Sequence, residues 1–459
     1  MKKSFLKRTQ FLQSATLICV ILMIISLIRT SALLPGVSEE ADRQKQEARE
    51  STYQKEYVRG KILDREGNIL AASEEPEGKR TYSDPYAFSN VVGYWSIKYG
   101  TYGIEKTMND VLLHSDSKEE DKRGADVSLT LDANLQKEAY DLLSDFTGSA
   151  VVLNAKTGEI LALASSPSFN ANALEEDWEE INKQDGVFYS NAYQNPVAPG
   201  SVFKLVTSKA ILEAGIDDEE VEDNGKLVIN GQTIRNYGGT AHGTLSFEEG
   251  FVKSSNVYFM DRALKLGGPA LKEAADSFLI GQDIKLDFAT ITSSFNLGDY
   301  EDNVIASTAF GQGETLITPL HMAMITQSIA GGGEMLKPYL IKSVVNGRGK
   351  TTQEGKSEVL TKTMEKNIAK RIREVMTEAG DSYGLKTVGD GYEIAAKTGT
   401  AERGDGYNNA WLVTFAPADD PQYVIVLNRL KTKEIGKSLA PIAESLYETL
   451  FEEIGRAHV

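Results

Sequence analysis

The chain is poor in the residues that usually build metal sites and covalent cross-links. Its 459 residues include one cysteine and four histidines, scattered singly along the sequence (Cys19, His114, His242, His321 and His458). One cysteine cannot form an intramolecular disulfide bond, and no H-x-x-x-H motif or Cys/His cluster is present. We therefore expect no metal ion and no other cofactor. A chain of this length can bury a full-sized core without either kind of support.

Positive charge is also scarce. Lys and Arg number 49 against 66 Asp and Glu, which gives a net charge of −17. A protein that binds nucleic acid needs excess positive charge to neutralise phosphates, so we expect no nucleic-acid partner. We interpret the acidity as a property that keeps the surface solvated.

Only one apolar run, residues 9–28, is long enough to cross a membrane. Twenty helical residues at about 1.5 Å each span about 30 Å, the thickness of the hydrocarbon core of a bilayer. A cleaved signal peptide is the alternative, but the run is long for one and no A-x-A-like cleavage site follows it. Cations precede the run and acidic residues follow it, so the positive-inside rule places the N-terminus in the cytoplasm (Lys2, Lys3, Lys7, Arg8, Glu39 and Glu40). We predict a cytoplasmic tail at 1–8 and a retained anchor helix at 9–30, with the remainder outside.

Turn signals and charge divide the remaining chain into two domains. Residues 31–57 are polar and predict a stalk, and two short apolar segments around a turn within 59–71 are typical of a β-hairpin. The charged run at 115–126 is typical of a solvated loop. We assign 31–125 to an N-terminal domain and 126–453 to the main domain.

Periodicity within the main domain alternates between helical and extended. A helical stripe within 132–143 precedes two strand-like runs joined by a turn at 155–158, and Thr318 and Pro319 are typical of a helix start. Later come three strand-like runs and an amphipathic helix (392–401, 410–415, 423–427 and 438–451). This order predicts an α+β fold. Residues 454–459 can be back-translated to a common sequencing-adaptor stretch, so we treat them as an artefact and leave them out of the fold prediction.

Three short motifs point to the chemistry. They are S-x-x-K at Ser201–Lys204, S-x-N at Ser254–Asn256 and K-T-G-T at Lys397–Thr400. The same patterns occur elsewhere, such as S-x-x-K at Ser115–Lys118 and K-T-G at Lys156–Gly158, so none is specific alone. Because the three motifs are widely spaced along the chain, they can come from separate helices and strands and meet at one site of a single domain. Together they provide a serine nucleophile that uses a lysine as its base.

The first motif supplies the nucleophile and its base. A Pro-Gly pair ends a loop and residues 202–214 have helical character, so we expect Ser201 at a helix N-terminus. Free N–H groups and the positive end of the helix dipole stabilise an oxyanion there. Lys204 follows one turn later and can act as a base only when it is neutral, which burial and a neighbouring cation such as Lys397 would favour. A serine cap followed by a surface lysine is the alternative for this motif alone.

The second motif supplies a proton relay. Ser254 could pass a proton between Lys204 and a leaving amine, and Asn256 could hydrogen-bond a substrate amide. Taken alone, this cluster of small polar residues is equally typical of a turn or a helix start.

The third motif supplies substrate contacts. Lys397 and Thr398 could bind a substrate carboxylate. Gly399 interrupts a strand, which is expected where another backbone comes close, and a peptide substrate added as a strand would be such a backbone. The backbone N–H groups of Ser201 and Thr400 would form the oxyanion hole.

With these motifs the chain resembles the class B penicillin-binding proteins, which are monofunctional transpeptidases. Other segments that are similar to this family lie at Gly311–Gly313, at Thr318–Pro319, at 59–71 and at Gly103–Glu105, although His321 stands where glutamine is commoner. The resemblance implies the penicillin-binding transpeptidase fold. This fold has an antiparallel sheet flanked by helices and a helical subdomain, here preceded by a short pedestal that leaves no room for a glycosyltransferase domain.

The resemblance implies a function in bacterial cell-wall synthesis. Ser201 would attack the D-Ala-D-Ala end of a peptidoglycan stem peptide, release D-alanine and transfer the acyl group to an amine of a second stem peptide. β-Lactams would acylate the same serine. The family also implies a place in the bacterial cell membrane, where a polytopic glycosyltransferase of the SEDS type would bind the anchor helix and pedestal.

Other functions remain open at this point. A D,D-carboxypeptidase would pass the acyl group to water, and a serine β-lactamase would hydrolyse its adduct quickly, but relatives of both usually lack a pedestal. A β-lactam sensor would need a larger cytoplasmic part. A non-catalytic cell-wall scaffold of the same fold is the alternative from another class, although the intact Ser201 and Lys204 argue against it.

Overall fold

The computed structural model describes residues 16, 18, 20–24, 50, 52–118 and 121–457. The predicted cytoplasmic tail lies outside these residues, as do most of the predicted anchor helix and stalk. Residues 20–24 are helical, and so are residues 52–56. No helix in the described ranges combines the length and the hydropathy that crossing a bilayer requires.

Strands and helices alternate along the described chain. The strands are β1 (Ile62–Leu63), β2 (Ile69–Ala72), β3 (Thr81–Tyr82), β4 (Tyr94–Ser96), β5 (Gly100–Tyr102), β6 (Asp126–Leu129), β7 (Gly148–Asn154), β8 (Ile160–Ser166), β9 (Val221–Asp223), β10 (Lys226–Ile229), β11 (Gln232–Arg235), β12 (Gly243–Leu245), β13 (Glu334–Leu336), β14 (Ile341–Val345), β15 (Thr351–Glu354), β16 (Val359–Lys362), β17 (Ala395–Glu402), β18 (Asn408–Ala416) and β19 (Tyr423–Thr432). The α-helices are α1 (Ile104–Thr107), α2 (Asn109–Leu113), α3 (Ala133–Leu143), α4 (Leu174–Ile181), α5 (Lys204–Glu213), α6 (Phe247–Val252), α7 (Asn256–Leu266), α8 (Gly268–Ser277), α9 (Asp302–Thr308), α10 (Pro319–Ala330), α11 (Lys366–Tyr383) and α12 (Ala440–Ala457).

An N-terminal sheet has the strand order β15–β14–β6–β1–β2–β3. The predicted hairpin is confirmed, because β1 pairs antiparallel with β2. Its turn is held by Asp64, whose carboxylate accepts hydrogen bonds from the backbone N–H groups of Glu66 and Asn68. Strand β14 pairs with β6, so that Ile341 lies opposite Leu129, 212 positions earlier in the chain. This sheet therefore combines strands of the N-terminal segment with two strands that come much later in the chain, β14 and β15.

The central sheet is antiparallel, with the strand order β17–β18–β19–β7–β8. Both of its faces are buried. Val151 and Leu153 of β7 pack in the apolar cluster that includes α10, whereas Ala150 and Val152 pack under α3 and α12. Burial on both faces explains why these strands read as almost continuous apolar runs. The predicted α+β fold, with its hairpin, late strands and final helix, is confirmed.

Several predicted boundaries differ from the structure. The strand expected from Tyr392 begins at Ala395, because the Tyr392 N–H instead donates to the Val388 carbonyl in a turn. The last strand continues to Thr432, and the final helix is preceded by a 3-10 turn at Gly436–Leu439 and continues to Ala457. These differences are local and leave the order of elements unchanged.

A helical layer is built from helices that lie between α5 and α9 in the chain. Helices α5, α7 and α8 pack against one another, and α9 packs on α7. Two small hairpin-like sheets, β9 with β12 and β10 with β11, lie at the edge of this layer. The space between this layer and β17 forms the cleft in which the three motifs meet.

Candidate active site

The first motif lies where the chain enters α5. Gly200–Phe203 forms a 3-10 turn that continues directly into the α-helix. The predicted helix start is confirmed, with Ser201 in this tighter first turn. Gly200 has φ 57°, and a Cβ atom there would lie 2.9 Å from the backbone nitrogen of Ala401. This close approach places the serine turn against β17.

Lys204 is completely buried, so its amine must find partners within the protein. Its Nζ lies 2.7 Å from the Ser254 carbonyl oxygen, 2.9 Å from Asn256 Oδ1 and 3.2 Å from Ser254 Oγ. The orientation of the Asn256 amide follows from its other end, where Nδ2 donates to the Arg235 carbonyl at 3.0 Å. The oxygen of this amide must therefore face Lys204.

The surroundings of Lys204 suit the neutral amine. A neutral amine has two N–H donors and one lone pair. The Ser254 carbonyl oxygen and Asn256 Oδ1 can only accept, so they take the two N–H groups. The lone pair is then left to accept a hydroxyl proton. Burial lowers the pKa of Lys204 well below its usual range, the charge of Lys397 lowers it further, and Asp223 acts in the opposite direction. These are the conditions that a lysine base requires.

Ser254 Oγ is the point where the three motifs meet. It lies beside Lys204 Nζ and accepts a hydrogen bond from Lys397 Nζ at 2.9 Å. The φ of Ser254 is 54°, in the left-handed region that residues other than glycine rarely adopt. In this conformation both its carbonyl and its hydroxyl oxygen lie within hydrogen-bonding distance of Lys204. Lys397 is also buried, and its Nζ contacts the hydroxyl of Tyr383 at 3.1 Å.

The third motif occupies β17, which is an edge strand of the central sheet. Thr398 and Thr400 line the cleft together with Ser201, whereas the Lys397 amine is directed to Ser254. No strand in the described part of the chain pairs with the outer side of β17. Its outer backbone groups are therefore open to an extended ligand.

Gly399 has a different explanation from the one that the sequence suggested. The backbone that comes close to it belongs to the chain itself. A Cβ atom at this position would lie 2.8 Å from the Pro199 carbonyl oxygen and 3.1 Å from the side chain of Val202. Glycine is required here so that the serine turn can pack on the strand.

A cleft of about 1100 Å³ opens above these groups. Its base includes Ser201, Ser254 and Asn256. Its rim carries more basic than acidic side chains (Arg235, Lys253, Arg403 and Lys437 against Glu402). Lys253 and Arg403 pair with Glu249 and Asp405, so the excess of positive charge at the rim is small. In a chain with a net charge of −17, even this small excess favours an anionic ligand.

The duplicate motifs have structural surroundings of their own. Ser115 donates to the Arg123 carbonyl at 2.9 Å in the loop that precedes β6. Lys156 pairs with Asp420 in the turn between β7 and β8, as expected for a turn residue. Neither belongs to the described residues that line the cleft.

Reasoning from the sequence missed three residues that contact the motifs. Asp223 and Asn236 form a buried layer behind Ser255 and Asn256, and Tyr383 contacts Lys397 from the end of α11. Asp223 and Asn236 lie in short strands and turns without periodicity, and the partner of Asp223 is 32 positions away. No sequence pattern marks such contacts.

The chain matches two family models. Residues 148–448 match the penicillin binding protein transpeptidase domain, and residues 59–130 match the penicillin binding protein A dimerisation domain. The first match covers more than half of the chain and contains all three motifs. The chain therefore belongs to the penicillin-binding protein transpeptidase family, and the resemblance noted from its motifs is confirmed.

Individual relatives lead to the same family. The chain is 28% identical to the peptidoglycan D,D-transpeptidase PbpA of Mycolicibacterium smegmatis, over 79% of this chain and 82% of that protein. It is similar in structure to penicillin-binding protein A of M. tuberculosis in its ceftriaxone acyl-enzyme complex (TM-score 0.80, 28% identity, covering 86% of this chain and 98% of that one). It is also similar to the D,D-transpeptidase domain of a peptidoglycan glycosyltransferase from Eggerthella lenta (TM-score 0.80, 31% identity, covering 87% and 99%). The fold is the penicillin-binding transpeptidase fold.

Proposed function

We propose that this protein is an acyl-serine D,D-transpeptidase that cross-links peptidoglycan stem peptides and that β-lactams inhibit covalently. The observation that carries the proposal is the position of Ser254 Oγ between the amines of Lys204 and Lys397. A buried amine, a relay hydroxyl and a nucleophile at a helix N-terminus are the parts that acyl transfer requires. Membership of the family and the activity named for its relatives support peptidoglycan as the substrate.

Acylation begins with attack by Ser201 Oγ on the carbonyl carbon of the penultimate D-alanine. The hydroxyl proton passes to the lone pair of Lys204 as the new C–O bond forms. The backbone N–H groups of Ser201 and Thr400 stabilise the negative charge that develops on the carbonyl oxygen. Support for this pair comes from the contact between the serine turn and β17, where a Cβ atom on Gly200 would lie 3.0 Å from the Thr400 carbonyl carbon.

Collapse of the tetrahedral intermediate breaks the C–N bond to the terminal D-alanine. Ser254 donates its proton to the leaving nitrogen and takes one from Lys204, so that D-alanine leaves as a neutral amine and Ser201 holds an ester. An acceptor amine then attacks this ester. Its proton returns through the same groups to Ser201 Oγ, which restores the enzyme.

The substrate contacts follow from the walls of the cleft. We assign the terminal carboxylate to the Thr398 hydroxyl, with Lys397 supplying positive charge from behind, because the Lys397 amine is buried and already engaged. Asn256 keeps one amide N–H for the substrate, since its other N–H donates to the Arg235 carbonyl. The stem peptide would pair with the outer edge of β17, where Thr398 and Thr400, on either side of Gly399, line the cleft.

Covalent labelling by a fluorescent penicillin tests the proposal. The wild-type protein should form a stable adduct whose intact mass rises by the mass of one penicillin, and Ser201→Ala should form none. Ser115→Ala is the matched control, because it removes the serine of another S-x-x-K motif and should label as the wild type does. A folded wild-type protein that forms no adduct would contradict the enzyme hypothesis and favour a scaffold.

A second measurement separates transpeptidation from carboxypeptidation. The protein is supplied with a D-Ala-D-Ala stem peptide, with and without a competing amine such as a D-amino acid, and the products are identified by mass. Incorporation of the amine supports transfer between peptides. Release of D-alanine with hydrolysis only, at every amine concentration, would assign the protein as a D,D-carboxypeptidase.

We also propose the layout of the whole chain on the membrane. A cytoplasmic tail (1–8) and an anchor helix (9–30) would hold a pedestal (31–125) and a transpeptidase domain (126–453) outside the bacterial cell membrane, with 454–459 as an artefact. The apolar run and its flanking charges support this orientation. External protease should remove the folded part from intact spheroplasts, whereas protection would contradict the orientation.

A glycosyltransferase of the SEDS type is the partner that we propose for the anchor and pedestal. Support comes from the resemblance to the family. Co-purification from membranes should succeed with the full chain and fail when residues 9–30 are replaced by an unrelated membrane helix. Equal recovery with both chains would show that the anchor does not contribute.

A further inference from the structure

A buried carboxylate lies directly behind the second motif. Asp223 has no exposed surface, although an isolated buried charge is costly unless donors surround it. Its carboxylate accepts hydrogen bonds from Ser255 Oγ at 2.6 Å, from Asn236 Nδ2 at 2.7 Å and from the Gly225 N–H at 2.7 Å. The charge is therefore held in place by a local backbone N–H and by side chains 13 and 32 positions further along the chain.

Asn236 connects Asp223 to the start of α7. Its Nδ2 group donates to Asp223, and its Oδ1 accepts from the backbone N–H groups of Asn256 at 2.8 Å and Val257 at 3.0 Å. These are first-turn N–H groups that have no partner within the helix. Asn236 thereby sets the position of Asn256, whose side-chain oxygen contacts Lys204.

Ser255 makes the second connection. Its hydroxyl donates to Asp223 and accepts from the Tyr258 N–H at 2.9 Å, which caps α7. The residue before it is Ser254, which holds its left-handed conformation only while its neighbours are fixed. Asp223 therefore acts on both residues that contact the amine of Lys204.

We propose that Asp223 is a positioning residue for the lysine base, acting on Lys204 through the second motif and through its own buried charge. This inference rests on the proposed function, because it assumes that Lys204 takes the proton of Ser201. Asp223 itself is not assigned any contact with the substrate, since it lies behind the motif and outside the described lining of the cleft.

The charge of Asp223 affects when Lys204 is neutral. Two ionisable groups face Lys204 from neighbouring elements: Lys397 from β17 and Asp223 from β9. Lys397 favours the neutral amine, and Asp223 favours the ammonium. Removing the negative charge should therefore allow Lys204 to lose its proton at lower pH.

The test is the pH profile of acylation by a fluorescent penicillin. For Asp223→Asn we expect the plateau rate constant to fall by about tenfold or more, as for loss of hydrogen bonds to a charged group. The acid limb should move to lower pH. Asn236→Ala should lower the plateau rate constant without moving the acid limb of the profile. It removes the hydrogen bonds that join Asp223 to the start of α7, but it removes no charge.

Asp287→Asn is the matched control. Asp287 is a partly buried carboxylate that accepts hydrogen bonds from the backbone N–H groups of Leu340 and Ile341, but it does not line the cleft among the described residues. Its variant should lose thermal stability and keep the wild-type profile. This control separates loss of stability from loss of positioning.

The outcomes are distinct. An Asp223→Asn profile that superimposes on the wild-type profile would overturn the inference. If this variant does not fold, Asn236→Ala decides: a lower plateau supports the inference and an unchanged one overturns it. Failure of the wild-type protein to react with penicillin would instead contradict the proposed function.

Discussion

Two buried amines, those of Lys204 and Lys397, lie within hydrogen-bonding distance of one serine hydroxyl, that of Ser254. Two positive charges this close, away from water, repel each other strongly unless one of them is neutral. The protonation of Lys204 is therefore coupled to the charge of Lys397. Tyr383 and the Thr398 carbonyl contact the Lys397 amine and keep it in this place.

Replacing Lys397 with glutamine should move the acid limb of the acylation profile to higher pH. The pKa of Lys204 is lowered by burial and by Lys397, so removing that charge raises the pKa and leaves less neutral amine at a given pH. Losing the hydrogen bond to Ser254 should also lower the rate of penicillin acylation at neutral pH by roughly one to two orders of magnitude.

The control for this prediction is Lys156→Gln, in the other K-T-G motif. Lys156 forms an exposed ion pair in a turn, so its replacement should leave the profile unchanged. A shift of the Lys397→Gln limb to lower pH would contradict the proposed coupling of the two amines.

Motif order and spacing predicted that Ser201, Lys204, Ser254 and Lys397 share one site. The structure places Ser254 Oγ beside both lysine amines and Ser201 in the same cleft, and the catalytic roles of these residues stay predictions. The contact of Asn256 with Lys204 was not foreseen, and its contact with substrate stays a prediction. Asp223 could not be found from the sequence, because isolated polar residues in irregular segments carry no periodic signal.

At the scale of elements, helix α10 is buried along its entire length. Its apolar residues are spread around the helix rather than confined to one stripe, as expected for a helix enclosed on every side. The histidine in its first turn, His321, has both ring nitrogens engaged: Nε2 lies 2.8 Å from the Phe278 carbonyl oxygen and Nδ1 lies 2.9 Å from Ser293 Oγ. The carbonyl can only accept, so Nε2 carries the proton and Nδ1 accepts from the serine.

His321 should make the protein less stable in mild acid. Burial lowers the pKa of His321 below its usual range, against the raising effect of the Phe278 carbonyl. The unfolded chain therefore takes up a proton near pH 6.5 while the folded protein does not, and the free energy of unfolding falls below that pH by up to about 1.4 kcal/mol per pH unit. Above about pH 7.5 the contribution of this residue should be constant.

His321→Gln is the variant that checks this prediction. Glutamine retains one donor and one acceptor but cannot titrate, so urea unfolding of the variant between pH 5 and pH 8 should show a weaker dependence on pH than that of the wild type. His242→Gln, which removes a partly exposed histidine, should keep the wild-type dependence. Equal slopes for wild type and His321→Gln would contradict the assignment.

Elements with strong local signals were predictable, and pairings between distant segments were not. Thr318 caps α10 by accepting the His321 N–H, as the Thr-Pro pair indicated, and the strands of the central sheet follow long apolar runs. The pairing of β14 with β6 joins segments 212 positions apart. Such register depends on the assembled tertiary structure rather than on local sequence.

At the scale of the whole molecule, a buried ion cluster stabilises the N-terminal part. Glu105 has no exposed surface, and its carboxylate contacts Arg59 at 2.7 Å and Arg80 at 2.6 Å. Burial alone would raise the pKa of Glu105, but the two guanidinium groups outweigh it and lower the pKa below its usual value. The carboxylate is therefore charged and neutralises one of the two buried cations.

Glu105→Gln should destabilise the protein by about 3–5 kcal/mol, because it leaves two buried guanidinium groups without a counterion. The matched control is Asp116→Asn, which breaks the exposed ion pair between Asp116 and Arg348 and should cost less than about 1 kcal/mol. Both values come from urea unfolding curves. Strands β14 and β15 belong to the N-terminal sheet. We therefore expect Glu105→Gln to lower the urea midpoint of the whole protein, including that of the domain labelled by penicillin at Ser201. If the labelled domain of the variant instead unfolds at the wild-type urea concentration, and only the N-terminal part unfolds earlier, the shared sheet does not couple the two parts.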